Sequence, residues 1–186
     1  MTCLQIHEIV PLSHVNGPGA RACVWVQGCS LACPGCFNPQ THEFGIGKKI
    51  EAKELADQLL CLNGIEGITI SGGEPLQQPE ALMELLEQIK GRSGLSVIIF
   101  SGFDRQEIEK FPNAPRLFQL IDAIIAGRYK EEQRLGSGLR GSDNQEIILC
   151  TPKYKLADFD NIPPTELVIN ADGSITISGV DPPKFW

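Results

Sequence analysis

Short apolar strands alternate along this chain with segments of helical periodicity, and this alternation restricts the possible folds more than any other feature. Strand-like segments rich in β-preferring residues occupy 20–28, 65–71, 95–102 and 145–150. Helical spacing of apolar residues occurs in 50–64, 78–91, 104–111 and 115–127, the last running into a strand. Strands that alternate with helices predict an α/β fold with a mainly parallel sheet.

Chain length decides which form of α/β fold is expected. A closed eight-stranded barrel typically takes about 250 residues, and this chain has 186. We therefore expect a partial, open (β/α) barrel with a mainly parallel sheet. The segment 165–179 predicts a C-terminal β-hairpin extension that turns at Ala171-Asp172-Gly173.

Charge and hydropathy exclude some classes of partner. Lys and Arg number 16 against 23 Asp and Glu, and no basic run stands out, so we expect no nucleic-acid partner. No apolar run approaches the roughly 20 residues of a membrane span, and the first residues lack the pattern of a secretory signal. We expect a cytoplasmic protein with no membrane partner.

Three of the seven cysteines lie in one short stretch, "GCSLACPGCFNP". Cys29, Cys33 and Cys36 have the spacing C-x3-C-x2-C, with Pro34 and Gly35 between the last two. Disulfides are a poor explanation for clustered cysteines in a cytosolic chain, which indicate metal ligands or redox groups. Thiolates are soft ligands that select zinc, copper(I) or iron–sulfur clusters.

The odd number of thiols leaves the identity of the metal open. A structural zinc site closes with four ligands, and Cys3, Cys23 or His42 could complete one, although none has the usual paired spacing. A [4Fe–4S] cluster normally takes four thiolates, so three would leave one iron open to another ligand. We favour the cluster; zinc and incidental cysteines remain alternatives.

A second motif follows another predicted strand. Gly72-Gly73-Glu74 stands at the end of "IEGITISGGEP", and Cys29 follows the end of an earlier strand. The carboxyl ends of parallel strands meet at one edge of a sheet, so both motifs are predicted to face one site. The glycines would let backbone approach a ligand closely. A plain strand-to-helix turn is the alternative.

Other candidate ligands are assigned ordinary roles. Cys61 and Cys150 lie in apolar surroundings and are predicted to be buried small residues. His42 is predicted to be a surface or turn histidine.

Taken together, these motifs resemble the radical S-adenosylmethionine superfamily, and within it the glycyl-radical-enzyme activases, above all those of anaerobic ribonucleotide reductase. The cysteine triplet and "SGGEP" carry the resemblance to the superfamily. The resemblance to the activases rests on "VNGPGARACVWVQGCSLACPGCFNPQT", "VIIFSGF" and "IIAGRYKEEQRLGSGLRGSDNQEI". It implies a single radical S-adenosylmethionine domain over residues 1–186, with a core at about 14–150 and a C-terminal extension at 151–186.

The resemblance implies two cofactors. Cys29, Cys33 and Cys36 would hold a [4Fe–4S] cluster, and S-adenosylmethionine would chelate its open iron. One electron from a reduced flavodoxin or ferredoxin would cleave the sulfonium to methionine and a 5'-deoxyadenosyl radical. That radical would remove a hydrogen atom from a backbone glycine of a large partner, here anaerobic ribonucleotide reductase. No catalytic side chain is expected beyond the cluster ligands.

Contacts to S-adenosylmethionine follow from the same resemblance. Gly72, Gly73 and Glu74 would meet the methionine amino group, and Gly35 and Phe37 would lie against the adenine. Arg128, Arg140 and Asn144 could meet the methionine carboxylate or the partner protein, but solvated or loop-stabilising roles explain them equally well. They are therefore left outside the predicted site.

Two other functions stay open. The chain could be a related radical S-adenosylmethionine enzyme that modifies a peptide or a small molecule, for which the C-terminal extension leaves room. It could also be a non-catalytic iron–sulfur or zinc-binding module. The Gly-Gly-Glu motif argues against that module, because a carrier does not need a ligand site beside its cluster.

Overall fold

The computed structural model describes residues 2–169, 173 and 175–179. The strands of the described residues are β1 (Cys3–Ser13), β2 (Arg21–Val26), β3 (Lys48–Glu51), β4 (Gly67–Gly72), β5 (Ser96–Ser101), β6 (Ala123–Ala126), β7 (Glu146–Leu149), β8 (Thr165–Ile169) and β9 (Ile175–Gly179). The α-helices are α1 (Ala52–Leu60), α2 (Pro79–Arg92), α3 (Arg105–Glu109) and α4 (Ala114–Leu120).

Seven strands form one open sheet in the order β3-β1-β2-β4-β5-β6-β7, and β8 and β9 form a separate hairpin. The strands β2, β4, β5 and β6 at the centre are parallel to one another. Antiparallel strands flank them, with β1 and β3 on one side and β7 on the other. The predicted α/β fold with a mainly parallel sheet and a C-terminal hairpin is confirmed. Residues 171 and 172 of the predicted hairpin turn lie outside the described residues.

Helices cover one face of this sheet. Successive side chains of a strand point to opposite faces, and the residues that pack beneath the helices are every second one along the central strands: Ala22, Val24, Val26, Ile68, Ile70, Val97, Ile99, Ile124 and Ala126. Proline opens α2, whose buried residues recur at helical spacing. This core positions the carboxyl ends of β2, β4, β5 and β6 along one edge.

The opposite face, here called the open face, is more polar and is covered in part by the C-terminal extension. Arg21 lies on it fully buried and donates hydrogen bonds to Thr69 Oγ1 (2.7 Å), Ser96 Oγ (3.0 Å) and Tyr154 Oη (2.9 Å). Phe159 and Ile162 of the extension pack on the same face, against Ile98, Ala123 and Ile125. The extension therefore covers a face of the sheet.

One burial prediction is wrong. Helix α1 buries Leu55, Ala56 and Leu59 and ends at Leu60. Cys61 is the C-cap of this helix and is exposed to solvent. Cys150 is half-buried and packs against the helix-side core, in keeping with its prediction. Among the described residues, the helices are too short or too polar to cross a bilayer.

Candidate functional site

The three clustered cysteines lie in a loop that begins where β2 ends. We call residues 28–42 the cysteine loop. Its two ends are joined by backbone hydrogen bonds from Gly28 N to Thr41 O (2.8 Å) and from Cys29 N to His42 O (3.0 Å). Gly28 begins the loop with a φ of 103°, and a side chain there would meet the ring of Phe44. The loop is thus closed at its base before the first cysteine.

Backbone N–H groups donate to two of the three cysteine sulfur atoms of this loop. Asn38 N donates to Cys36 Sγ at 3.4 Å, and hydrogen bonds from the backbone of Leu31 and Ala32 act on the Cys29 thiol. Ala32 stands between two cysteines with a φ of 46°, a left-handed conformation that non-glycine residues rarely adopt and that clusters at functional sites. The loop therefore turns its N–H groups toward the thiols.

Burial determines the protonation of two of these thiols. Desolvation is the largest effect on Cys29 and Cys36 and raises the pKa of each above the usual value of a thiol, although the backbone hydrogen bonds act in the opposite direction. Both side chains are half-buried. In the metal-free protein they are neutral thiols at neutral pH, and they would lose their protons when a metal binds.

The loop that follows β4 lies directly against the start of the cysteine loop. Gly73 N donates to Val26 O (2.8 Å), and Glu74 N donates to Gly28 O (2.9 Å). A methyl group added to Gly73 would stand 2.3 Å from Gly28 O, and one added to Gly72 would meet the Val26 backbone at 2.6 Å. The glycine pair is needed because the two loops touch through their backbones.

Glu74 is buried, with 1% of its surface exposed. Its Oε1 accepts hydrogen bonds from Leu76 N and Ser101 Oγ, both at 2.9 Å, and its Oε2 accepts one from Gly102 N at 2.7 Å. Burial raises the pKa of this carboxyl to about 7, while the three hydrogen bonds lower it by less. The carboxyl group thus links the loop after β4 to the loop after β5.

These loops enclose a pocket of about 110 Å³, here called the cysteine pocket. It lies where β2, β4, β5 and β6 end, as expected for a site at the carboxyl edge of parallel strands. Its wall comprises Cys29, Leu31, Cys33, Cys36, His42, Ser71, Gly72, Gly73, Glu74, Phe100, Ser101, Gly102, Gly127, Tyr129 and Gln145. The structure therefore brings the cysteine triplet and the Gly-Gly-Glu motif together around one space.

Gly35 and Phe37, the residues predicted to lie against an adenine, lie outside the wall of the cysteine pocket. Phe37 contacts the ring of Tyr129, with ring centroids 4.5 Å apart, and the Arg134 guanidinium lies over the Phe37 ring, 5.4 Å from its centroid. Gly35 has a φ of 69° and faces the Glu131 carboxylate.

A second cavity of about 260 Å³ adjoins the first; we call it the inner cavity. Ser71, Phe100, Tyr129 and Gln145 belong to the walls of both. The rest of its wall includes His7, Glu8, Val10, Asn16, Trp25, Phe37, Asn38, Gln40, Leu139, Gly141, Ile177, Ser178 and Gly179. The inner cavity lies on the open face of the sheet, and Ile177–Gly179 of β9 close part of it.

The other predicted ligands take various positions. His42 lines the cysteine pocket. Cys23 is buried on the open face, where desolvation raises the pKa of its thiol to about 12, and Cys3 is exposed at the start of β1. In the part of the chain that the structure describes, no three His, Cys, Asp or Glu side chains stand close enough to hold a single metal ion.

Sequence reasoning missed part of the pocket wall. Ser101 is the last residue of β5, Gly102 follows it, and Gly127 follows β6. Their signal was a glycine at each strand end, in "FSG" and "IAG", on the edge where the other two motifs already lay. Gln145 belongs to a segment that carries the resemblance to the activases, but no motif placed it at the pocket. It joins the pocket because its Nε2 donates to Gly127 O at 2.8 Å.

The three polar residues left outside the predicted site stabilise loops. Arg128 forms two hydrogen bonds with the Glu107 carboxylate, at 2.6 and 2.9 Å. Arg140 donates to the backbone oxygen of Asp143 at 2.8 Å, and Asn144 Nδ2 donates to Arg128 O at 2.9 Å.

A family model and two activating proteins match most of this chain. A family model described as "4Fe-4S single cluster domain" matches residues 15–148. The anaerobic ribonucleoside-triphosphate reductase-activating protein of Enterobacteria phage T4 is 32% identical over 150 residues, which cover 77% of this chain and 93% of that protein. A pyruvate formate-lyase-activating enzyme of Clostridium pasteurianum is 38% identical over 146 residues, 75% of this chain and 60% of the relative. The crystal structure of QueE from Escherichia coli overlaps 54% of this chain and 53% of its own, with 19% identity and a TM-score of 0.46.

Proposed function

Because the chain belongs to the 4Fe-4S single cluster domain family and to the glycyl-radical-enzyme activases of the radical S-adenosylmethionine superfamily, we propose that it generates a glycyl radical on anaerobic ribonucleotide reductase. It does so by reductive cleavage of S-adenosylmethionine at a [4Fe–4S] cluster. One observation carries this proposal: the cysteine triplet and Gly72-Gly73-Glu74 line the same pocket at the carboxyl edge of the sheet.

The donor set of the pocket suits an iron–sulfur cluster with an open position. Cys29, Cys33 and Cys36 supply three thiols, and the loop aims backbone N–H groups at two of the sulfurs. Hydrogen bonds to the sulfurs and limited solvent access are the means by which a protein tunes the potential of such a cluster. When bound, the cluster supplies the electron that splits the sulfonium of S-adenosylmethionine, and the hydrogen-abstracting radical comes from that cleavage.

The remaining residues bind and orient. Gly72 and Gly73 let the loop after β4 pack directly on the cysteine loop, which places its backbone beside the space for the methionyl part of the cofactor. Glu74 holds this loop in place through the loop after β5. We assign the adenine to the side of the cysteine loop that carries Gly35 and Phe37. The aromatic contact between Phe37 and Tyr129 supports this assignment, because it keeps an apolar surface beside the pocket.

We extend the proposal to the setting of the protein. A reduced flavodoxin or ferredoxin supplies the electron, and the cytoplasm is the compartment, since thiols stay reduced there. The chain is a single domain that curves as a partial (β/α) barrel around its open face. The inner cavity on that face and the packing of Phe159 and Ile162 against the sheet support this arrangement.

The experiment is anaerobic reconstitution with iron and sulfide, reduction by dithionite, and measurement of 5'-deoxyadenosine formed from S-adenosylmethionine. The reductase of the same organism is then added, and its glycyl radical is measured by electron paramagnetic resonance. We expect both products. The Cys33→Ala variant loses 5'-deoxyadenosine formation, whereas the Cys61→Ala variant retains it, because Cys61 is exposed at the end of α1.

Three results would change this assignment. A colourless protein with stoichiometric zinc would make the chain a binding module. Cleavage of S-adenosylmethionine without a glycyl radical would indicate another substrate, a peptide or a small molecule. A well-folded Cys61→Ala protein that is as inactive as Cys33→Ala would show that the ligand assignment is wrong.

A further inference from the structure

We propose that the apolar face of the β8–β9 hairpin is the docking surface for the polypeptide segment that carries the target glycine, and that this segment reaches the cysteine pocket through the inner cavity. The inference rests on the proposed function, because it takes the substrate to be a backbone glycine of a partner protein. It adds a role for a part of the chain that lies beyond the matched residues 15–148.

The hairpin has two unlike faces. Directly paired residues of an antiparallel hairpin share a face, and the pairs Leu167 with Ile177 and Ile169 with Ile175 place four apolar side chains together. The pair Glu166 with Ser178 lies on the other face. One face of the hairpin is therefore an apolar row, formed by Leu167, Ile169, Ile175 and Ile177.

The polar face of the hairpin is seated on the segment that follows β1. Asn16 Nδ2 donates to Ser178 Oγ at 2.6 Å, and His14 N donates to Glu166 Oε2 at 3.0 Å. Ser178 is buried by this contact. On the opposite face, Leu167, Ile169 and Ile175 are 46%, 71% and 58% exposed. The apolar row is thus turned away from the loop that holds the hairpin, and apolar rows left open in this way mark interaction sites.

The apolar row runs directly into the inner cavity. Ile177 belongs to the row and also to the cavity wall, and Ser178 and Gly179 follow it along that wall. Consecutive side chains of a strand point to opposite faces, so three consecutive residues in one cavity wall indicate that the cavity follows the edge of the strand. In the described residues, β9 pairs with β8 alone. An extended chain in the cavity could pair with this edge, as peptides do with exposed strands.

The chemistry of the cavity wall suits polypeptide backbone. Four carboxamide side chains border it, namely Asn16, Asn38, Gln40 and Gln145. Asn16 and Gln145 already donate to Ser178 Oγ and Gly127 O, which leaves Asn38 and Gln40 as the candidate partners of a bound chain. A carboxamide both donates and accepts hydrogen bonds, which matches the alternating N–H and C=O groups of a peptide. The walls shared with the cysteine pocket connect this surface to the reacting centre. That continuity favours the substrate segment over a second copy of this chain as the occupant.

The test uses the double variant Ile169→Lys/Ile175→Lys of the full chain. These residues belong to neither cavity wall, and their exposure lets the protein fold with lysine at both positions. The matched control is Leu156→Lys, which changes a 57% exposed leucine outside the hairpin. Each protein is reconstituted, and 5'-deoxyadenosine formation by dithionite alone is compared with the rate of glycyl-radical formation on anaerobic ribonucleoside-triphosphate reductase.

We expect the double variant to cleave S-adenosylmethionine as wild type does but to form the glycyl radical about tenfold more slowly or worse, as for loss of anchor residues at an interface. The control keeps both rates. Equal radical formation by the double variant, or an equal loss in the control, overturns the inference while the proposed function stands. Sedimentation that changes from dimer to monomer in the double variant overturns it in favour of a second copy. A wild-type protein that makes no radical overturns the proposed function itself.

Discussion

Replacement of Glu74 by glutamine tests whether burial of this carboxyl group destabilises the fold once the group is ionised. The carboxyl is 1% exposed, and burial raises its pKa to about 7 from the usual 4.5. The glutamine side chain has the same shape and no ionisable group. The change therefore removes the titration with little change in volume.

The sign of the effect follows from the raised pKa. Below the unfolded pKa both states carry the proton, and the stability that Glu74 contributes is fully present; it is lost as the pH rises through the folded pKa. A shift of this size corresponds to about 3 kcal/mol over the whole titration at about 1.4 kcal/mol per unit. About 2 kcal/mol of that falls between about pH 5.5 and about pH 8. The free energy of unfolding of Glu74→Gln does not decrease in this way, because glutamine does not ionise.

The assay is urea unfolding of the metal-free protein, under anaerobic reducing conditions, at both pH values. We expect the free energy of unfolding of wild type, measured relative to Glu74→Gln, to fall by about 2 kcal/mol from the lower to the higher pH. The comparison cancels the titrating groups that do not interact with Glu74. A difference that stays constant, or that moves in favour of wild type as the pH rises, would show that the three hydrogen bonds stabilise the anion and that our reasoning is wrong.

Two further substitutions probe the framework of the site. Gly73→Ala places a methyl group 2.3 Å from Gly28 O, so we expect bound iron per chain to fall severalfold after reconstitution. The control Gly91→Ala, which adds a methyl group in open space on α2, keeps the iron content of wild type. Full iron content in Gly73→Ala would contradict the close contact between the two loops. Arg21→Met leaves several buried oxygen atoms without their hydrogen-bond donor. We expect the free energy of unfolding, measured by urea titration, to fall by about 3 kcal/mol. A fall of less than about 1 kcal/mol would mean that packing of the methionine side chain replaces the hydrogen-bond network.

Local sequence patterns predicted most of the central sheet. Apolar runs, helical periodicity and glycine stops predicted the strands β2, β4, β5 and β6 and the helices between them. The long strand β1 was missed, because register shifts between Ile6 and Glu8 and between Val10 and Ser13 break the alternation of its side chains. The short strand β3 has only four residues, and tertiary pairing with β1 rather than local preference makes it a strand.

The candidate site was predictable where a motif followed a strand end. The cysteine triplet and the Gly-Gly-Glu motif were expected to face each other, and the parallel order of β2 and β4 brings them together. The partners of Glu74 could not be read from sequence, since Ser101 and Gly102 come from another strand. Nor could the position of the hairpin, because it depends on single hydrogen bonds from His14 and Asn16.

The proposed function requires that three cysteines hold a [4Fe–4S] cluster and leave one iron to S-adenosylmethionine. The most direct measurement is electron–nuclear double resonance of the reduced, reconstituted protein with S-adenosylmethionine isotopically labelled in its methionyl amino group. We predict a [4Fe–4S] signal coupled to the labelled nitrogen, and loss of that signal in Cys33→Ala. A cluster signal without coupling to the label, from a protein saturated with S-adenosylmethionine, would contradict the account.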